Sequence, residues 1–258
     1  MKLTFIGAAH EVTGSAHYLT VGKYNIIVDY GMEQGVNLYE NQKPPFLPAE
    51  TDFVFITHAH IDHTGLLPLL YKQGFRGKIF ATSATCDLCN IMLKDCAHIQ
   101  EFEAEWKSRK NKRKGEEPVY PIYDFEDVDG VLSLFIPCHY LDLIEVCENV
   151  KIRFVDAGHL LGSASIEVWL TEENISRKVV FSGDIGNYNQ PLIKDPQYID
   201  SADYVIMEST YGNRLHADEN PNYNGDLVNI IKDTLARGGN VVIPCFAVGR
   251  TQEVLYRL

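Results

Sequence analysis

The sequence predicts a layered α/β protein, with two sheets packed together and helices outside them. Three observations carry this. Short, near-continuous apolar runs recur at residues 3–6, 24–28, 53–56, 78–80, 152–155, 166–170, 179–181, 204–207 and 241–243. Many are β-branched, and each ends near Gly, Asp, Asn or His, as buried strands do. Helical patterns at 66–72, 84–110 and 226–236 lie between some of these runs. Such an order favours stacked layers over one doubly wound sheet.

The chain has 258 residues, 45% of them hydrophobic, which is enough for one large core or one core and part of a second. A charged fraction of 22% speaks against disorder. No uninterrupted apolar stretch reaches the ~18 residues of a membrane span, so no membrane partner is expected. The opening MKLTFIGAAHEV reads as a first strand and not as a signal peptide, because Glu11 closes a short apolar run. A cytoplasmic location follows as the expectation, and with it six cysteines free of disulfides. Cys86 and Cys89 have zinc-like spacing, but no second pair matches it. With Cys96 they fall near one face of a helical pattern, which predicts core packing.

Residues 109–129 are the most polar stretch and read as a loop excursion. Residues 213–223, rich in Asn, Asp and Pro, read as a linker, and 224–258 is too short to fold alone. Residues 251–258 look like the start of an amphipathic helix. The expected organisation is one domain over 1–212, then the beginning of a second over 213–258.

The chemistry concentrates in His58-Ala59-His60-Ile61-Asp62-His63, between a buried strand and a helix. In extended chain His58 and His60 point the same way, so both imidazoles can reach one ion. Asp62 and His63 fall at the helix start and point elsewhere, toward a second ion. Gly65 would supply a tight turn. Clustered histidines repel one another if charged and leave polar atoms unsatisfied if packed in apolar surroundings, so packing alone is a poor explanation. Other candidates stand at strand ends: Asp29, Asp156, His159, Asp184 and Glu208. Each alone is ordinary turn chemistry; with the histidine cluster they converge.

These residues resemble the metallo-β-lactamase superfamily, and within it the β-CASP branch of RNA-processing nucleases. The motifs are Asp29, the His58–His63 cluster, His159 and Asp184, with Gly7-Ala-Ala-His-Glu-Val-Thr-Gly-Ser at the start. Glu208-Ser-Thr-Tyr-Gly and Pro244-Cys-Phe-Ala-Val-Gly-Arg-Thr-Gln-Glu mark the branch. The resemblance implies an αββα sandwich carrying two zinc ions. His58, His60 and His159 would hold the first ion, Asp62 and His63 the second, and Asp184 would bridge them. Asp29 would orient an imidazole from behind. Asp62, Asp184 and Glu208 are the implied catalytic carboxylates. The family's last histidines, one completing the second zinc site and one facing phosphate, have no counterpart before Leu258, so the chain resembles an N-terminal fragment with an incomplete second site. Manganese or iron would also accept this ligand set.

The implied activity is hydrolysis of RNA phosphodiester bonds by a metal-activated hydroxide, endo- or 5′-to-3′-exonucleolytic. The channel would lie against a β-CASP domain, with residues 139–143 and 216–224 near its entrance. A formal net charge of −12 speaks against a nucleic-acid partner. Two zinc ions would offset it locally. The basic run 107–114, KSRKNKRK, is either a solvated helix end or a phosphate-contacting arm. Two other readings stay open: hydrolysis of a small thioester, lactone or lactam, and a scaffold without catalysis. A homo-oligomer is compatible with the sequence.

Overall fold

The computed structural model describes residues 1–35, 44–215 and 223–258. A six-stranded sheet has the order β1 (Lys2–Gly7), β2 (Ala16–Val21), β3 (Tyr24–Tyr30), β4 (Phe53–Phe55), β5 (Lys78–Thr82), β6 (Phe135–Cys138). Its first three strands are antiparallel and β3 to β6 run parallel. A five-stranded sheet has the order β11 (Tyr204–Ile206), β10 (Ile175–Phe181), β9 (Ala164–Glu172), β8 (Val150–Asp156), β7 (Ile144–Cys147). It is antiparallel except for the parallel pair β10–β11.

The apolar runs of the central strands are continuous because both their faces are covered. Ile26, Val28, Phe55 and Phe80 face the second sheet, where Ile152, Phe154, Ile166, Val168 and Phe181 meet them. The alternate residues Ile27, Val54, Ile56 and Ile79 face the helices. Those helices are α1 (Ile61–Thr64), α2 (Leu67–Lys72), α3 (Ser83–Lys114) and α4 (Phe125–Leu132). They bury Leu67, Leu70, Cys89, Leu93, Val128 and Val131 against the first sheet. On the outer face of the second sheet Glu167 is buried between Arg153 and Lys178, and both cations lie over the Trp169 ring. Helices α5 (Tyr223–Ala236) and α6 (Arg250–Arg257) follow β11.

Several expectations need correction. The polar stretch 109–129 is helical at both ends and a loop only between them: α3 runs on to Lys114 and stops at Gly115 with φ 75°, and α4 begins at Phe125. The signal for α4 was a reciprocal cap, in which the Asp124 side chain accepts from the Asp127 amide and the Asp127 side chain accepts from the Asp124 amide. Residues 241–243 form no strand, because no neighbouring strand among the described residues offers a ladder; Val242 is exposed. Gly65 is right-handed (φ −62°), so it is needed for space and not for a turn; a Cβ there would sit 2.6 Å from the Ile61 carbonyl oxygen. Strands β2, β6 and β7 carried no clear apolar run. Most of the linker and of the 216–224 stretch lies outside the described residues. All six cysteines are free, and burial pushes the Cys86 thiol up to about 12. No helix among the described residues is long and apolar enough to cross a membrane.

Candidate metal centre

The sequence candidates other than Asp62 and His63, which lie in α1, sit at the carboxyl ends of strands, on one rim of the two sheets. Asp29 closes β3, His58 and His60 follow β4, His159 follows β8, Asp184 follows β10 and Glu208 follows β11. Backbone hydrogen bonds lock these loops together. Ala164 donates to the Thr57 carbonyl across the two sheets, and Gly186 donates to Ala157, joining the His159 and Asp184 loops. Ser15 donates to Asp62, and Met32 to Ile61, fastening the short α1 turn beside β3. Gly183 (φ 55°) lies so close to Thr57 that a Cβ would approach its side chain to 2.7 Å.

Four donor groups converge, those of His58, His60, His159 and Asp184, with one ligand atom of each within 4.8 Å of the others. His58 Nε2 is 3.0 Å from His60 Nδ1, and His159 Nε2 is 3.3 Å from the same atom. Asp184 Oδ2 is 3.7 Å from His58 Nε2 and 3.5 Å from His159 Nε2. A tetrahedral ion with bonds of 2.0–2.1 Å separates its ligands by about 3.3–3.4 Å. The observed spacings scatter around that value, so the residues fit a metal.

The tautomers fit as well. The Thr57 hydroxyl donates to Asp29 Oδ2 at 2.7 Å, so toward His58 Nδ1, 3.1 Å away, it can only accept. His58 therefore carries its proton on Nδ1 and presents a bare Nε2 to the cluster. His63 repeats the arrangement: its Nδ1 lies 2.8 Å from Asp29 Oδ2, and its Nε2 lies 3.2 Å from Asp184 Oδ1. Asp29 holds both ends, because its other oxygen accepts the Thr57 amide at 2.8 Å. It does so from the left-handed region (φ 55°), a strain of about 1–3 kcal/mol that these bonds offset.

Electrostatics keep three of the imidazoles neutral. Burial, then the neighbouring histidines, push His58 well below its ordinary value. Burial and His159 lower His60 to about 4, and burial lowers His159. Neutral imidazole is the form that ligates a metal. At His63 burial also disfavours charge, but the Asp29 and Asp184 carboxylates outweigh it and raise the ring. At Asp184 burial works upward, yet His63 and the other imidazoles draw it below the usual carboxylate range. Burial raises Asp62.

Asp62 and His63 are not in the four-residue group; His63 touches it through Asp184 Oδ1. On that side a cavity of about 420 Å³ opens, lined by His10, Asp29, His63, Asp184, Glu208 and Thr210 among others. Glu208 Oε1 accepts the Ile185 amide at 2.9 Å, beside Asp184. His17 also reaches the cavity, with its ring edged against Phe5 and Phe181.

Residues that sequence reasoning missed hold the loops. Thr57 stands between the apolar run and the histidine cluster with no motif of its own. Ser163 Oγ accepts the amides of His159 (3.0 Å) and Leu160 (3.1 Å). Thr82 and Thr85, both buried, donate their hydroxyls to the Gly162 carbonyl and pin the same loop to the start of α3. No motif advertises them; only their proximity to His58 and His159 in sequence does.

Two mixed sheets, helices against the first, and a three-histidine, one-aspartate group on the shared rim define the class: the chain belongs to the metallo-β-lactamase superfamily. The family model described as "Metallo-beta-lactamase superfamily domain" matches residues 18–207. The whole chain is 37% identical over 259 residues to Ribonuclease TTHA0252 of Thermus thermophilus, covering 54% of that protein. It is 32% identical over 264 residues to Transcription termination factor FttA of Methanosarcina mazei, covering 38% of it. It is 33% identical over 261 residues to Probable RNase MJ4 of Methanocaldococcus jannaschii, covering 56% of it. It spans roughly 40–55% of the length of these curated relatives.

Proposed function

We propose that the protein is a metal-dependent ribonuclease that hydrolyses RNA phosphodiester bonds at this rim. The observation that carries the reading is the convergence of His58, His60, His159 and Asp184 at tetrahedral spacing. Similarity along the whole chain to a named ribonuclease supports RNA as the substrate. His58, His60 and His159, with Asp184, would hold one zinc ion, and Asp62 and His63, also with Asp184, would contribute to a second. Bound there, zinc supplies Lewis acidity that activates water and offsets charge at phosphorus.

The chain's own residues prepare that site. Thr57 and Asp29 fix a proton on Nδ1 of His58 and His63; neutral His58 presents a lone pair at Nε2, and His63 would do so once the Nε2 proton that Asp29 and Asp184 favour is displaced by a bound ion. Asp184, with Oδ2 toward His58 and His159 and Oδ1 toward His63, faces both halves of the centre. Glu208 holds the backbone after Asp184. Asp62, raised by burial, stands at the start of α1 where a carboxylate favours the helix terminus. Residues 1–212 form the catalytic domain in this reading, and 213–258 begin a β-CASP domain against which RNA lies. The exposed Val242 and Phe246 are consistent with a further apolar surface there.

The test is cleavage of end-labelled RNA by the purified protein. Wild type cleaves and loses activity in chelator. His60→Ala and Asp62→Ala fall by about a thousandfold or more while circular dichroism stays unchanged. Cleavage retained in either variant would overturn the assignment.

A further inference from the structure

Helix α3 is longer than its packing requires. Cys89, Leu93, Ala97 and Ala104 are its buried core contacts, and after Ala104 it runs on to Lys114 without another buried residue. At 1.5 Å per residue that is an arm of about 15 Å beyond the core. Its outward face carries Phe102, Trp106, Lys110 and Arg113, at the i, i+4, i+8, i+11 spacing of one helical stripe. Phe102 is 67% exposed and Trp106 58%, and Lys110 Nζ lies over the Trp106 ring at 5.4 Å.

The charge is as uneven as the shape. Residues 107–114 hold Lys107, Arg109, Lys110, Lys112, Arg113 and Lys114 and no acid, in a chain of formal net charge −12. Lys107, Arg109 and Lys114 pair with Glu103, Glu105 and Glu116. Lys110, Lys112 and Arg113 form no ion pair among the described residues. Cations in the last turn of a helix complement its dipole, which accounts for Lys112, Arg113 and Lys114. It does not account for exposed aromatic rings on the same face.

The segment after the helix is fastened to it. Ser108 Oγ accepts the Val119 amide at 2.8 Å and donates to the Val119 carbonyl at 2.9 Å, and Asn111 donates to Glu117 at 2.8 Å. This holds Tyr120, 76% exposed, next to the arm. A pre-ordered surface of rings and cations costs little entropy on binding.

We propose that this arm binds single-stranded RNA away from the metal centre, bases stacking on Trp106, Phe102 and Tyr120 and phosphates meeting Lys110, Lys112 and Arg113. The proposal rests on the ribonuclease reading and names where the substrate is held outside the cutting site. Single strands suit the surface because only unpaired bases offer their faces to aromatic side chains. The phosphates supply the charge complement that the rest of this acidic chain repels.

The experiment compares wild type with F102A/W106A and with K110E/K112E/R113E. All five positions are solvent-facing, and circular dichroism checks the fold. Anisotropy of a labelled phosphorothioate oligouridine reports binding; turnover of bis(4-nitrophenyl) phosphate, too small to touch the arm, reports the metal centre. Both variants should bind the oligonucleotide roughly tenfold or more weakly. The charge variant should also flatten the slope of log affinity against log salt by about 2, since each single-strand phosphate contact contributes about 0.7. Diester turnover should stay at the wild-type rate, and K110R/K112R should bind like wild type. Diester turnover together with equal oligouridine affinity in wild type and variants overturns the arm alone. Unchanged affinity with altered sedimentation reassigns the face to a contact between copies, which also overturns it. Absence of both diester turnover and binding in wild type removes the ribonuclease reading and the arm with it.

Discussion

Thr57 shows how much of the centre depends on a residue that cannot itself bind a metal there. Its hydroxyl has one proton, which goes to Asp29, and its lone pairs then decide the tautomer of His58. Thr57→Val keeps the shape and removes both links. The buried His58 Nδ1–H loses its acceptor, while Asp29 Oδ2 keeps His63; the loss costs about 1–3 kcal/mol and is measurable by urea unfolding. Metal affinity should fall about 10–100-fold, as it does when partners behind a ligand are lost, and competition with a zinc chelator reads this directly. Unchanged affinity would mean that the His58 tautomer is set elsewhere. The four converging residues were all candidates in the sequence: His58 and His60 because few packing arguments place three histidines and an aspartate in six residues, His159 and Asp184 because they end strands. Thr57, Ser163, Thr82 and Thr85 were not, because a hydroxyl that holds a loop has no pattern until the fold brings its acceptor near.

At the scale of elements, the loops after β4 and β10 meet at one narrow contact, Gly183 against Thr57. Gly183→Ala combines a left-handed backbone with a Cβ that would press on the Thr57 side chain. It should destabilise the fold by more than about 1 kcal/mol and move Asp184 away from His58. A thermal melt with a parallel metal titration checks both; a melt at the wild-type temperature would show that the two loops yield. Elements with both faces buried, β3, β4 and β5, were readable as apolar runs, and α3 as a long amphipathic pattern. Strands β2, β6 and β7 were missed, β6 and β7 being short and partly exposed, and β2 setting the half-buried His17, Tyr18 and Thr20 among the buried Ala16, Leu19 and Val21. The run at 241–243 failed in the other direction: β propensity without a neighbouring strand makes no strand.

At the scale of the whole molecule, two sheets share one core and one rim, and the layered α/β class followed from apolar runs that only a doubly covered sheet explains. The outer face of the second sheet sets an acid limit on that arrangement. Burial favours a protonated Glu167, but Arg153 and Lys178 outweigh it and hold the carboxyl below 4.5. A carboxyl depressed in the folded state stabilises fully above the unfolded value and loses that contribution as pH falls through the folded one. Melting temperature should therefore drop below pH 4.5 in wild type, and drop less steeply in Glu167→Gln, which starts lower. The central claim, however, is the metal centre, and X-ray absorption at the zinc edge with metal analysis tests it most directly. The predicted result is a nitrogen and oxygen shell at about 2.0–2.1 Å with imidazole scattering, lost together with bound metal in the His58→Ala, His60→Ala double variant. Bound metal unchanged by that double variant, or a shell dominated by sulfur, would contradict it.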